Sequence, residues 1–166
     1  MKRHRQRGFS LLEVLVTVVI LSIGMLGVAA VLVTVHKANA SSYLRQQAVQ
    51  QAYDILDRMR ANRSVALQGG YDVALNTVPG TPAVNCTSGS CSPAQLASYD
   101  KWQWRTDITN IMPSGAGSVV TASFGTAPNV STQVTVVVQW SDKPTQQTLN
   151  PNQTVTPATY TLQTVL

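Results

Sequence analysis

The sequence predicts an α+β fold in which one long N-terminal helix packs on a small antiparallel sheet, with one extra short helix beside it. Three observations carry this expectation. Residues 14–35 contain no charge, and from Lys37 to Asn62 the chain has no Pro or Gly. A Ser-x-x-Gln capping box at Ser92 to Gln95 announces a second helix. Beyond it, short runs of alternating apolar and polar residues are separated by turn-forming residues.

The uncharged run, about 22 residues long, is enough to span a bilayer core as a helix. Lys2, Arg3, Arg5 and Arg7 precede it, and only Lys37 and Arg45 follow closely. That imbalance puts the N-terminus in the cytoplasm and the C-terminal body on the far side of the membrane, as a secreted or periplasmic part. An ordinary secretory signal has a shorter apolar core followed by a small-residue cleavage site. Here the apolar run is longer, and the small residue Gly8 precedes it. Gly24 and Gly27 interrupt the span, near Ser22 and Ala29, where small residues serve close helix packing or reflect the ordinary abundance of glycine in lipid.

Past the membrane, Leu44, Ala48, Ala52, Ile55 and Met59 recur at helical spacing, with Gln46, Gln47, Gln50, Asp54, Asp57 and Arg58 on the other side. The two halves predict one helix of roughly 50 residues and about 80 Å. Gly69-Gly70 ends the helical stretch. Val73 to Cys91, rich in Pro, Thr, Ser, Gly and Asn, reads as a loop.

Ser92 caps the second helix and Pro93 suits its first turn. Leu96, Tyr99, Trp104, Ile108 and Ile111 approximate its apolar face, which ends before Pro113-Ser114-Gly115. Aromatic residues at that spacing belong to a core more often than to a ligand site. Strands are expected at Ser118 to Phe124, Thr132 to Trp140 and Ala158 to Leu166, the second with Val134, Val136, Val138 and Trp140 on one face. Tyr160 and Leu162 share a face of the third.

Composition narrows the function. The chain carries a net charge of +5 and a pI near 9.6. Removing the leader's four cations leaves 8 basic and 7 acidic residues, so basicity is a topology signal and poor evidence for nucleic-acid binding. Cys86 and Cys91 lie in a Thr-Ser-Gly-Ser loop and, in an oxidising compartment, are expected to form a disulfide. A zinc site lacks ligands, because His4 and His36 are the only histidines. No nucleophile-base arrangement, HExxH helix or phosphate loop is recognisable. No enzyme activity, metal or cofactor is expected.

Arg7-Gly8-Phe9-Ser10-Leu11-Leu12-Glu13 resembles the processing site of type IV prepilins and pseudopilins. The resemblance implies a type IV pilin-like fold and cleavage by prepilin peptidase between Gly8 and Phe9, followed by N-methylation of Phe9. It also implies that Glu13 pairs with the Phe9 amine of a neighbouring subunit during assembly. A carboxylate in an apolar helix costs roughly 2.5 to 3.5 kcal/mol at the helix centre, less near an end, so compensation of this kind has a physical motive. The competing reading leaves Glu13 shallow and in reach of interfacial water.

Two further regions are similar to the minor pilin family PilV, the type IV pilus modification proteins: Asp57-Arg58-Met59-Arg60-Ala61-Asn62, and Pro93 to Trp102 with Met112-Pro113-x-Gly115. Taken alone, the charges of the first are a helix end with cations suited to the dipole. The resemblance implies a leader at 1–8, a transmembrane and assembly half of the helix at 9–35, its amphipathic half at 36–68, and a periplasmic pilin-like domain at 69–166. It further implies a role in initiating pilus assembly within a priming or tip complex, in the inner membrane and then in the fibre. Partners would be other minor pilins and the major pilin through the N-terminal helix, a tip adhesin, and prepilin peptidase. Twitching motility and cell adhesion are the associated activities. Many major pilins carry a proline inside this helix, and this chain has none before Pro79. The alternatives are a minor pseudopilin of type II secretion and a DNA-binding pilin using Arg45, Arg58, Arg60 and Arg63.

Overall fold

The computed structural model describes residues 10–126, 130–142 and 156–166. Helix α1 spans Leu11–Ala61, a short α2 spans Arg63–Ala66, and α3 spans Pro93–Ile111. Strands β1 (Ala116–Phe124), β2 (Ser131–Trp140) and β3 (Ala158–Val165) form one antiparallel sheet in that order. The chain divides into two units, Met1–Asn39 and Ala40–Leu166.

In the first unit α1 begins just after Ser10, whose carbonyl accepts from Glu13 N and Val14 N at 3.0 and 3.3 Å. The hydroxyls of Thr17, Ser22 and Thr34 donate back to the carbonyls of Val14, Val18 and Ala30. Such internal bonding leaves no side-chain hydroxyl of these residues dependent on water, as a lipid-facing helix requires. An added Cβ at Gly24 or Gly27 would meet nothing within 4 Å, so no contact among the described residues demands glycine there.

In the second unit the core joins Ala48, Ala52, Ile55 and Met59 of α1 to Trp104 and Ile108 of α3 and to Val119, Val134, Val136, Val138 and Trp140 of the sheet. The expected spacing on α1 therefore faces the core, with Leu44 partly buried at its edge. Trp104 donates its indole N–H to the Gln51 carbonyl of α1 at 2.8 Å. Along β2, buried valines alternate with half-buried residues, as the period of a strand packed on one face dictates. Tyr160 and Leu162 of β3 pack against the same core. Gly117 is forced by proximity: a Cβ there would stand 2.5 Å from Trp104 Cη2 and 2.8 Å from Ile108 Cδ1.

Two expectations are corrected. The amphipathic half of the helix does not continue to residue 68. It stops at Ala61, because Asn62 (φ −116°, ψ 49°) leaves helical geometry and turns its side chain toward Pro93 and Tyr71. Helicity then resumes for one turn and closes at Gly69, which has φ +75°. Gly69 N bonds to Ala66 O and Gly70 N to Val65 O, the paired bonds of a Schellman ending.

The second correction concerns α3. Ala97, Asp100, Trp104, Arg105 and Ile108 are its buried residues, while Ile111 is exposed and Leu96 and Tyr99 are half-buried. Hydropathy alone shifted the face by one position at its N-terminal end, because a carboxylate occupies a core position. The capping box at Ser92 and Gln95 is present in both halves. The strands begin one or two residues earlier than expected at β1 and β2, and β3 ends at Val165.

The edge of β1 is covered in part. Val73 pairs with Val119 through both backbone bonds, and Asp72 accepts from Thr121 N and Oγ1 at 3.0 and 2.9 Å. Pairing of this kind removes open hydrogen-bonding groups from a strand edge.

Candidate functional site

Gly8 and Phe9, the expected cleavage and methylation positions, lie outside the described residues. The segment that follows them is described. Glu13 stands exposed in the first turn of α1, where a negative charge suits the positive end of the helix dipole. Among the described residues no ion pair engages it. Behind it every large apolar side chain from Leu11 to Val35 is exposed, none less than 44%. The helix is long and apolar enough to cross a membrane by length and composition. Apolar surface on this scale, with one carboxylate at its start, requires lipid or partner helices around it.

The second constellation is the Asp57–Asn62 region, and its chemistry is internal. Arg58 Nε donates to Asp54 Oδ2 at 3.0 Å, and its Nη1 reaches Asp100 Oδ1 at 3.3 Å and Gln103 Oε1 at 3.0 Å. The Tyr71 hydroxyl donates to Asp100 Oδ2 at 2.7 Å. Asn62 Nδ2 donates to the Pro93 carbonyl at 2.7 Å and to the Tyr71 oxygen at 3.3 Å. Burial first, and then the hydrogen bond to Asp100, raise the Tyr71 pKa well above that of a free phenol. These bonds fasten the end of α1 to the start of α3 and to the turn carrying Tyr71. The arrangement is a structural clasp with no open reacting atom.

This accounts for cations that sequence reasoning offered to a nucleic acid. Arg58 is committed to the clasp, Arg60 pairs with Asp57 at 3.0 Å, and Arg63 Nη2 donates to the Leu166 carbonyl at 2.9 Å. Arg45 is exposed. Arg105 is different: it is 4% exposed, and its Nη2 reaches only the Leu75 carbonyl at 3.4 Å. Its Nε and Nη1 have no partner among the described residues, and burial lowers its pKa.

Cys86 and Cys91 are joined in a disulfide that closes the loop directly before the α3 cap. Among the described residues no group of three or more His, Cys, Asp or Glu side chains could hold a metal ion. Sequence reasoning missed Tyr71 and left Asp100 off the buried face of α3. The signal for Asp100 was its spacing from Ala97 and Trp104 on one helical face. For Tyr71 no sequence pattern carried the information, since its partners lie 9 and 29 residues away.

Comparison with known proteins agrees with this anatomy. Residues 3–29 match the prokaryotic N-terminal methylation motif, and residues 30–102 match the family described as Type IV pilin Tt1218. No curated protein and no solved structure matches the chain. The second match takes in the clasp from Asp54 to Asp100, and the first takes in Glu13 and most of the exposed apolar helix. With its long apolar helix, its small antiparallel sheet and these two adjoining matches, the chain is similar to type IV pilins over residues 3–102.

Proposed function

We propose that this chain is a type IV pilin, a membrane-anchored structural subunit that assembles with other pilins, and specifically a minor, PilV-like one that takes part in initiating type IV pilus assembly within a priming or tip complex. Prepilin peptidase cuts between Gly8 and Phe9 on the cytoplasmic side and Phe9 is N-methylated. The globular domain then stands in the periplasm until the subunit enters the fibre. The single observation that carries the reading is the exposed apolar half of α1 with Glu13 as its one carboxylate. Its exposed side chains need a surround of lipid first and pilin helices later. In that setting an amine on a neighbouring Phe9 is the partner that compensates Glu13, since opposite charges attract strongly in low dielectric.

Support for the PilV-like assignment comes from the Asp57–Asn62 and Pro93–Trp102 regions, whose residues build the clasp. A minor pseudopilin of type II secretion would share the N-terminal machinery. Deleting the gene and scoring twitching, piliation and exoprotein secretion separates the two. Loss of piliation with secretion intact is expected; loss of secretion with normal pili overturns the pilus assignment.

A further inference from the structure

Tyr99 and Trp102 are half-buried aromatics of α3 that lie outside the hydrophobic core. Their ring centroids are 5.8 Å apart with planes inclined at 50°, so they form a corner. Together with Thr81, Pro82 and Asn85 of the preceding loop they line a pocket of about 130 Å³. Pro82 also borders a second depression of about 260 Å³, which reaches Val84, Gln95 and Ser98. The loop thus lies along α3 and leaves a two-part crease whose lining carries no charged residue.

In the second depression Ser98 donates its hydroxyl to the Ala94 carbonyl and Gln95 Oε1 accepts from Ser92 N, but the donors at the aromatic corner are uncommitted. Among the described residues neither the Trp102 indole N–H nor the Tyr99 hydroxyl has a hydrogen-bond partner. Asn85 Oδ1 accepts from Thr87 N at 3.0 Å and from Thr87 Oγ1 at 2.7 Å, which fixes the amide orientation and leaves its NH₂ to donate elsewhere. The walls are held on both sides. Asn85 immediately precedes the Cys86–Cys91 disulfide, and the capped first turn of α3 follows it. A ligand entering there would not have to order the loop first.

Aromatic faces beside hydrogen-bond donors, with no charge, match one ligand chemistry well. A pyranose ring has an apolar C–H face that packs on an aromatic ring and hydroxyls at its rim that accept from N–H and O–H donors. We infer that this crease is a carbohydrate site: a neutral pyranose sits in the Tyr99–Trp102 corner, and the next sugar of a chain lies in the depression beyond Pro82. Uronic acids and phosphorylated sugars are disfavoured, because no cation lines either part. A proline-rich peptide is the rival occupant. It prefers parallel aromatic ridges along an extended groove, and these two rings instead close a corner. The inference does not rest on the minor-pilin assignment.

The test uses the full chain in a zwitterionic detergent without a sugar headgroup. Neutral hexoses, N-acetylhexosamines and their disaccharides are titrated, with a proline-rich peptide in parallel, and tryptophan emission is followed. Trp104 and Trp140 are 0% and 4% exposed, so Trp102 is the reporter. A saturable response to at least one neutral sugar in the millimolar range is expected. By calorimetry the affinity should fall about tenfold in Asn85→Ala and more in Trp102→Leu, each with near-ultraviolet circular dichroism unchanged in shape apart from the lost indole. If Trp102→Leu does not fold, Tyr99→Ser replaces it. The inference is overturned by the absence of a saturable response to any neutral sugar, by undiminished affinity in the folded variants, or by a response to the peptide alone.

Discussion

Arg58 and Asp100, forty-two residues apart in sequence, meet at 3.3 Å where the end of α1 crosses the start of α3. The Asp100 side chain is 9% exposed and takes its second bond from Tyr71 at 2.7 Å. Removing Arg58 leaves a buried carboxylate with one donor fewer, whereas removing Arg60 releases only the exposed Asp57. Arg58→Met is therefore expected to destabilise the domain by about 1.5 to 3 kcal/mol, the range for hydrogen bonds to charged groups. Arg60→Ala is expected to change it by about 0 to 1 kcal/mol. Urea titration of the detergent-solubilised chain, read by near-ultraviolet circular dichroism, compares the two; equal effects would sink the clasp.

Tyr71 gives the clasp a pH dependence. Its folded pKa is raised above that of a free phenol, so the folded state holds the proton more tightly than the unfolded chain. The stability this contributes is complete below about pH 10, the unfolded value, and is lost as pH rises toward the folded pKa. The wild-type chain should lose stability above about pH 10 more steeply than Tyr71→Phe. At neutral pH the same variant should be weaker by about 1 to 3 kcal/mol, since Asp100 loses a donor. Melting temperatures at neutral pH and through the alkaline range check both signs.

Arg105 predicts the opposite of a conventional loss. Its guanidinium is buried, lacks a carboxylate, and leaves two nitrogens without partners among the described residues. Replacing it by an apolar side chain of similar length removes a desolvated charge. Arg105→Met should stabilise the domain, by about 1 to 3 kcal/mol. A fall in the urea midpoint would show that the guanidinium is satisfied in solution.

Assembly and processing should separate genetically. Glu13→Ala is expected to leave processing largely intact and to reduce incorporation into pili, since it removes the charge proposed to pair with an incoming amine. Gly8→Arg should block cleavage and leave the longer precursor. Immunoblots of membranes and sheared pili read both; uncut precursor with Glu13→Ala and mature protein with Gly8→Arg would reverse the two assignments.

Much of this anatomy is legible in the sequence because it rests on local periodicity. The core face from Ala48 to Met59, the cap at Ser92 and the valine alternation of β2 each follow from spacing within one element. What was not legible depends on distant partners. Asn62, where α1 ends, donates its side-chain amide to both Tyr71 and Pro93, and nothing near it in sequence announces this. Asp100 takes a core position because Arg58 and Tyr71 satisfy it, so a hydropathy rule misplaced the face of α3. Tyr99, expected in the core, instead joins Trp102 against the loop, because α3 has a second contact beyond the sheet. Of the proposed assembly site, the apolar span is plain from composition, whereas the role of Glu13 comes from the resemblance of Arg7 to Glu13 to a prepilin processing site.

Processing and assembly as a pilin are the central properties proposed for this chain. Sheared, detergent-free pili can be collected and the N-terminal peptide of this subunit identified by mass spectrometry. The prediction is a peptide that begins at Phe9 and carries one methyl group on its amine. A chain in that fraction still beginning at Met1, or no subunit there while the major pilin is abundant, would contradict the account.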